Sequence, residues 1–313
     1  MHAPGSDHFA STADYERDFR VLHARPGCGL DELPAGVAGW RRLRSVDFSA
    51  NAFREVPAVV RAWAAFDGPI SVDFSKSNIA DVSALEDVRV DVASFRGMPR
   101  LELLPASWGR PGWPLTTVRA ELSNLTAPLF GGADANATWR QQRAGFQSLQ
   151  QLSLLTNPRL GAGWLAGLGQ LPELVLLVLD GCGVTDAELA AVPAGAMPKL
   201  GTLNIAHNPS VTAVPAWVRG LPISELSAGG CSLGAGAPNP LAPLGAAPLL
   251  STLDLAHNPA LMRLPAELAA APRLSILGVS DIGLRDLESL KRLAQLTQLK
   301  AESNPLGPLS DWL

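Results

Sequence analysis

The sequence has little of what marks a membrane protein or a secreted chain. Its most apolar run, LVLLVL at Leu174–Leu179, is six residues long, whereas a membrane-spanning helix needs about 20. The first residues, MHAPGSDHFASTADYERDF, contain no apolar stretch of the kind that a signal peptide carries. We therefore expect no membrane span and a cytoplasmic location. An extracellular or cell-surface location is the alternative if the sequence is a fragment of a longer chain.

An excess of positive charge is also missing. Charged residues make up 17% of the 313 residues and the net charge is −4, so the composition does not favour binding to a phosphate backbone. The one basic cluster, Arg41-Arg42-Leu43-Arg44, is short and typical of a solvated surface. We expect no nucleic-acid partner. Hydrophobic residues make up 47% of the chain, which predicts a substantial core.

Several catalytic and metal-binding signatures are absent as well. The sequence has no H-E-x-x-H motif, no P-loop and no C-x-x-C pair. Its carboxylates are scattered, without the paired spacing that serves acid–base chemistry. We expect no catalytic residue, no cofactor and no metal site, and therefore a chain that is not an enzyme.

What the sequence does contain is an internal repeat. The stretch LGTLNIAHN, which ends at Asn208, aligns without a gap on LSTLDLAHN, which ends at Asn258, and a proline follows each asparagine. The frame L-x-x-L-x-L-x-x-N/C recurs along most of the chain, mostly at intervals in or near 20–29 residues. The histidines in the two stretches, His207 and His257, look like a metal pair. They lie two repeats apart, roughly 10 Å by strand spacing, and lack a third ligand, so we expect them to be structural.

This frame resembles the leucine-rich repeat family. The resemblance implies an α/β solenoid, or horseshoe, with a parallel β-sheet on the concave face and short helices, 3-10 turns and loops on the convex side. The side chain at the N/C position is expected to hydrogen-bond the backbone where each strand turns, which builds a ladder along the solenoid. Ser77, Ser123 and Ile282 fall in the same frame. The clearest ladder residues are Cys28, Asn51, Asn157, Cys182, Asn208, Cys231, Asn258 and Asn304.

The repeats predict the domain organisation. We expect a polar leader over residues 1–20 and a single repeat domain of about 11–12 repeats over residues 21–313. The frame is irregular at 80–114, where the echo of Met197–Leu200 in Met98–Leu101 indicates one degenerate repeat. An insertion is expected near 130–142, either a functional loop or a tolerated one. Near the end, Asp286–Ala294 has the pattern of a short amphipathic helix, and the C-terminus lacks an obvious cap.

Cysteines and sequons point to different compartments. All three cysteines lie at the ladder position, and Cys182 and Cys231 are separated by two repeats, about 10 Å, which exceeds the reach of a disulfide. We expect free, buried thiols, which favours a reducing compartment. Two glycosylation sequons, which begin at Asn124 and Asn136, favour a secretory route instead.

In proteins of this family, ligands commonly bind the strand residues that point away from the core. Among these residues, Leu155, Leu176 and Val178 form an apolar group that is flanked by the carboxylate of Asp180. Such a pattern marks either a binding site or a solvent-exposed face under weak constraint. We expect a monomeric, non-enzymatic scaffold that binds a protein partner. The alternatives are a ligand-binding ectodomain fragment of a cell-surface receptor or adhesion protein, and a regulatory module of a larger kinase or GTPase. The candidate partner-binding residues are Asp47, Asp73, Arg119, Ser153, Leu155, Leu176, Val178, Asp180, Asn204 and Asp254.

Overall fold

The computed structural model describes residues 19–110, 112–126, 146–160, 163–236, 238–264, 268 and 271–306. Most of the expected leader, the expected insertion near 130–142 and the sequon at Asn136 lie outside this described part of the chain. Residues 307–313, beyond the last described repeat, also lie outside it.

In the described part, twelve short strands form one parallel sheet, and each strand pairs with the next one along the chain. The middle residue of a typical strand, such as Leu177, Leu203 or Leu253, is buried, and the residues on either side of it face away from the core. This sheet confirms the predicted fold class. The strands are β1 (Val21–His23), β2 (Ser45–Asp47), β3 (Ile70–Asp73), β4 (Val90–Ser94), β5 (Thr117–Arg119), β6 (Gln151–Ser153), β7 (Leu176–Val178), β8 (Thr202–Asn204), β9 (Glu225–Ser227), β10 (Thr252–Asp254), β11 (Ile276–Gly278) and β12 (Gln298–Lys300).

Short helical segments connect the strands across the opposite side of the solenoid. In the part of the chain that the structure describes, two are α-helical, α1 (Trp164–Gly167) and α2 (Asp186–Ala190). Four of the 3-10 helices begin directly after a proline whose φ lies between −54° and −66°, since the proline ring holds the backbone in a helix-compatible angle. The 3-10 helices are Ala35–Gly39, Ala58–Ala65, Ser83–Leu85, Ala106–Gly109, Phe146–Ser148, Ala216–Val218, Ala242–Ala246 and Glu288–Arg292.

The last of these helices replaces the amphipathic helix expected over Asp286–Ala294. It is a five-residue 3-10 helix, because a repeat this short leaves room for little more than one turn between β11 and β12. Leu293 is buried, and Leu287 and Leu290 pack partly buried against the core. Leucine side chains of this segment therefore face the core, but the helix is shorter than expected.

The irregular region at 80–114 contains one repeat with the strand β4. Its register on β3 places Ala93 opposite Val72. Met98 therefore follows the strand at the ladder position and is fully buried, whereas Met197 precedes β8. The sequence echo between these two methionines was misleading, because it places Met98 on the wrong side of its strand.

Ladder asparagines join each repeat to the one before it. Asn208 is fully buried; its Oδ1 accepts the Val184 N–H at 2.9 Å, and its Nδ2 donates to the Leu179 carbonyl at 2.9 Å. The carbonyl of Ile205, within its own repeat, accepts at 2.8 Å. Asn51, Asn157, Asn258 and Asn304 make the corresponding bonds.

Two kinds of turn alternate along the C-terminal half. After Asn157, Asn208, Asn258 and Asn304 a proline follows, and the asparagine carbonyl accepts the N–H two or three residues on. In the repeat before each of these asparagines the ladder residue is smaller or apolar, and the N–H two residues after it donates to the asparagine Oδ1. An asparagine in every second repeat therefore satisfies both kinds of turn.

A second ladder lies at the opposite end of the strands. The hydroxyl groups of Ser224, Ser251, Ser275 and Thr297 each donate to a backbone carbonyl of the preceding repeat, at 3.0–3.2 Å. This ladder was not predicted, although a hydroxyl residue directly before four consecutive strands is visible in the sequence. Side-chain hydrogen bonds thus hold both ends of the strands. The outward-facing side chains between the two ladders are not needed for these bonds.

Candidate functional site

The open face of the sheet carries three parallel rows of side chains. The strand register aligns the last residue of each strand in a middle row, which holds seven of the candidate residues: Asp47, Asp73, Arg119, Ser153, Val178, Asn204 and Asp254. Leu176 lies in the row before it, and Leu155 and Asp180 lie two residues beyond it. The register also adds His23 and Ser94, which the sequence frame missed because β1 and β4 belong to irregular repeats.

The centre of this face is apolar. Leu155, Leu176 and Val178 are half-buried, and Leu122, whose N–H donates to the Leu155 carbonyl at 2.8 Å, is 53% exposed. We call these four residues the apolar patch. Ser153, in the middle row of β6, is only 8% exposed, so it offers little area for contact with a partner.

On the N-terminal side the apolar patch is bordered by cations. Arg119 is exposed and its Nη2 donates to Gln151 Oε1 at 3.1 Å. The Nε of Arg96 lies 3.2 Å from Glu121 Oε2, but at an angle that leaves this buried oxygen without a hydrogen bond. Lys76 is exposed. Its Cγ lies near Gly97 of the next repeat, 3.7 Å from the position that a Cβ on this glycine would take. We call Lys76, Arg96 and Arg119 the basic border.

On the C-terminal side the border is a carboxylate that already has partners. Asp180 Oδ1 lies 2.7 Å from His207 Nδ1, and its Oδ2 accepts from Asn204 Nδ2 at 3.5 Å. The Asp180 side chain is 18% exposed. Since two neighbours hold this carboxylate, it borders the patch without presenting an unpaired charge.

The remaining candidate aspartates shape their own strands. Oδ1 of Asp47, Asp73 and Asp254 accepts the N–H two residues further on, at 2.9, 2.8 and 3.1 Å. The Asp254 side chain also lies over Gly278, where an added Cβ would approach Oδ1 to 2.6 Å. These carboxylates are half-buried and stabilise the exit from the strand.

The rim of the open face is a row of left-handed residues. The residue just before each ladder position has a positive φ, including His207 at 52° and His257 at 58°. Their Nδ1 atoms pair with different carboxylates, Asp180 at 2.7 Å and Asp281 at 3.2 Å. The described residues contain no group of three potential ligands that could hold a metal ion. The two histidines therefore take part in the turn geometry and contact different carboxylates.

A short glycine-bounded segment of the same rim matches a catalytic pattern. Gly230–Gly234 reads G-C-S-L-G, which fits the G-x-S-x-G of a strained strand-to-helix turn that exposes a nucleophilic serine. Here the Ser232 hydroxyl donates to the Pro209 carbonyl at 2.8 Å, and the chain continues from Ser232 into further turns instead of a helix. Among the described residues, Ser232 and His207 share no hydrogen bond.

The cysteines are all free, but their environments differ. Burial raises the pKa of the Cys182 thiol to about 11, and burial likewise raises the pKa of the Cys231 thiol. Their Sγ atoms donate to backbone carbonyls of the preceding repeat at 3.0 and 3.3 Å. Cys28 is exposed, so its expected burial was wrong: it lies in the first repeat that the structure describes, and among the described residues no earlier repeat packs against it.

Within the described residues, no helix combines the length and the apolar character needed to cross a bilayer. Asn124, the first residue of the other sequon, is half-exposed, and the Thr126 hydroxyl donates to the Glu102 carbonyl at 3.4 Å.

The fold is similar to several solved structures. A leucine-rich repeat protein of Leptospira interrogans is 17% identical, with 90% of this chain and 72% of that chain aligned at a TM-score of 0.62. An internalin, inlF, of Listeria monocytogenes is 15% identical over 87% of this chain and 71% of that chain, with a TM-score of 0.55. The ectodomain of the Arabidopsis thaliana receptor kinase GASSHO1/SCHENGEN3, solved in complex with CASPARIAN STRIP INTEGRITY FACTOR 2, is 15% identical over 92% of this chain and 39% of that chain, with a TM-score of 0.53. No protein-family model and no curated protein sequence matches the chain. The in-order parallel strands, the asparagine ladder and these likenesses together identify the fold as that of the leucine-rich repeat proteins.

Proposed function

We propose that the chain is a non-enzymatic interaction module that binds a protein partner through the open, concave face of its sheet. The observation that carries this proposal is the apolar patch. Its leucines and valine lie on a face that the solenoid leaves uncovered, and charged groups border them on both sides. Exposed apolar surface with a polar rim is typical of interaction sites.

The test is a double substitution at the patch. Leu176→Asp with Val178→Asp should abolish capture of the native partner from cell extract, because two carboxylates would have to lose their water on binding. Thr252→Asp is the matched control, since Thr252 occupies the same row as Leu176 in β10 and is also half-buried. The control should capture the same proteins as wild type.

Thermal unfolding of all three proteins separates binding from folding. Unchanged unfolding with lost capture supports the proposal, whereas identical capture by wild type and the double variant contradicts it. The proposal that the chain is not an enzyme has its own test: a serine-directed fluorophosphonate probe should leave Ser232 unlabelled. Labelling at Ser232 would contradict it.

A second candidate, a ligand-binding ectodomain, is favoured by the half-exposed sequon at Asn124. In a cytoplasmic protein, the location that we propose, this asparagine carries no glycan. Mass spectrometry of the protein from its native cell decides between the two: a glycan on Asn124 favours the ectodomain, and an unmodified Asn124 favours the cytoplasmic module.

A further inference from the structure

The basic border and the apolar patch lie next to each other on the open face. This arrangement favours a partner that offers both an acidic and an apolar group. Arg119, Ser153 and Val178 follow one another across β5, β6 and β7 in the same row. Two strand spacings of about 4.8 Å therefore separate Arg119 from Val178, or roughly 10 Å. A cation and an apolar surface are thus presented together at a fixed distance.

The charges in this region are unevenly satisfied. Arg96 lies beside Glu121, which offsets its charge. In the described residues, Arg119 and Lys76 have no carboxylate within salt-bridge distance, and both side chains are exposed. The nearest acid beyond the patch, Asp180, is already held by His207. An incoming carboxylate would therefore meet available cations on one side only.

We propose that this face binds an extended peptide segment in which an Asp or Glu side chain precedes or follows an apolar side chain by about three residues. A peptide in the extended polyproline II conformation has three residues per turn and advances about 3.1 Å per residue. Side chains three residues apart therefore lie on the same side of the peptide and span the distance from Arg119 to Val178. The carboxylate pairs with Arg119, and the apolar side chain packs on Leu155, Leu176 and Val178. This inference rests on the proposed concave-face function and adds the kind of partner to it.

The experiment is a selection from a library of short random peptides displayed on phage. Wild type, Arg119→Glu and the Leu176→Asp/Val178→Asp variant serve as parallel targets, each shown to be folded by thermal unfolding. Wild type should enrich peptides with Asp or Glu about three residues from Leu, Ile, Val or Phe. Arg119→Glu should replace that acidic preference with Lys or Arg, and the double variant should enrich no such motif.

A synthetic peptide from the wild-type selection then gives the magnitude. Its affinity should fall on the order of tenfold or more with Arg119→Glu, as expected for a charge-assisted hydrogen bond replaced by repulsion, and should weaken as salt is raised. Arg61→Glu is the matched control: this exposed arginine lies in the 3-10 helix Ala58–Ala65 on the other side of the solenoid. It should leave the affinity unchanged.

The outcomes separate this inference from the proposed function. Peptides that bind through the apolar patch without an acidic preference, or that bind Arg119→Glu equally well, overturn the inference while the concave-face function stands. Selection of no peptide by folded wild type also counts against it. Capture of a native partner that is lost with the double variant supports the broader function in either case.

Discussion

Asn208→Ala offers a direct test of how the repeats are held together. The wild-type side chain is fully buried, and its Oδ1 is the acceptor for the Val184 N–H at 2.9 Å. Alanine leaves that N–H buried with no partner. The carbonyl groups that accept from Nδ2 are those of Leu179, Ile205 and Ala206. Each keeps a second donor, which is Cys182, Cys231 and Gly181 respectively. The Val184 N–H that loses its partner therefore accounts for most of the destabilisation.

The expected magnitude follows from these contacts. A buried N–H without a partner costs about 1–3 kcal/mol, and we expect the upper end of this range because the hydrogen bonds from Nδ2 are lost as well. Asn208→Ala should therefore lower the free energy of unfolding by about 3 kcal/mol. Asn78→Ala is the matched control, because Asn78 is exposed and its side chain makes no hydrogen bond with the described residues. It should stay within about 0.5 kcal/mol of wild type.

Two measurements decide the result. Equilibrium urea unfolding gives the free-energy change, and amide hydrogen exchange reports the Val184 N–H itself, which should lose protection in Asn208→Ala. The second measurement matters because stability in a solenoid is spread over neighbouring repeats, and one repeat can open locally. A change below about 0.5 kcal/mol together with unaltered protection at Val184 would refute the ladder argument.

Three further predictions concern thiols and turns. In the native protein a thiol reagent should modify Cys28 quickly, and Cys182 and Cys231 only after denaturation; fast reaction of all three would contradict their burial. Because burial raises the pKa of Cys182 from 9.0 to about 11, the unfolded chain loses this proton first. The free energy of unfolding should therefore fall as pH rises from about 9 toward 11, and fall less steeply in Cys182→Ala. Gly234→Ala should destabilise by clearly more than Gly236→Ala in urea unfolding: both have φ of +89°, at a cost of about 1–2 kcal/mol, but only the first would place a Cβ 2.7 Å from a backbone oxygen. Equal losses would show that strain alone matters.

The repeat frame was sufficient to predict the fold, because the same residue pattern occurs many times along the chain. Leucines such as Leu203 and Leu253 recur at the same spacing from the ladder asparagine, and any one of them can be lost without hiding the period. The same redundancy fails where a repeat is degenerate. The residues around Met98 resemble those before β8, but they follow their own strand instead of preceding it. Only the pairing of β4 with β3 shows their correct position in the repeat.

The candidate site was less predictable, because exposure depends on neighbours in other repeats. Ser153 has an outward position in its strand but is covered, and Cys28 has a ladder position but is exposed. Leu122 was missed because it follows its strand on a left-handed turn, with φ of 55°, where a period-two pattern no longer applies. Each case is decided by what lies in the adjacent strand.

The sequence by itself determined the repeat, the parallel order of the strands and the inward leucines, since these follow from periodicity within one chain segment. Three features became visible only in the tertiary structure: the alternation of turn types, the hydroxyl ladder, and the position of Arg119 beside the apolar patch. Those features depend on contacts between residues 20 to 40 positions apart, and their partners are chosen by the register between neighbouring strands. A frame that is identical in every repeat says which residues face outward, but the stacking of different repeats sets which of them become neighbours.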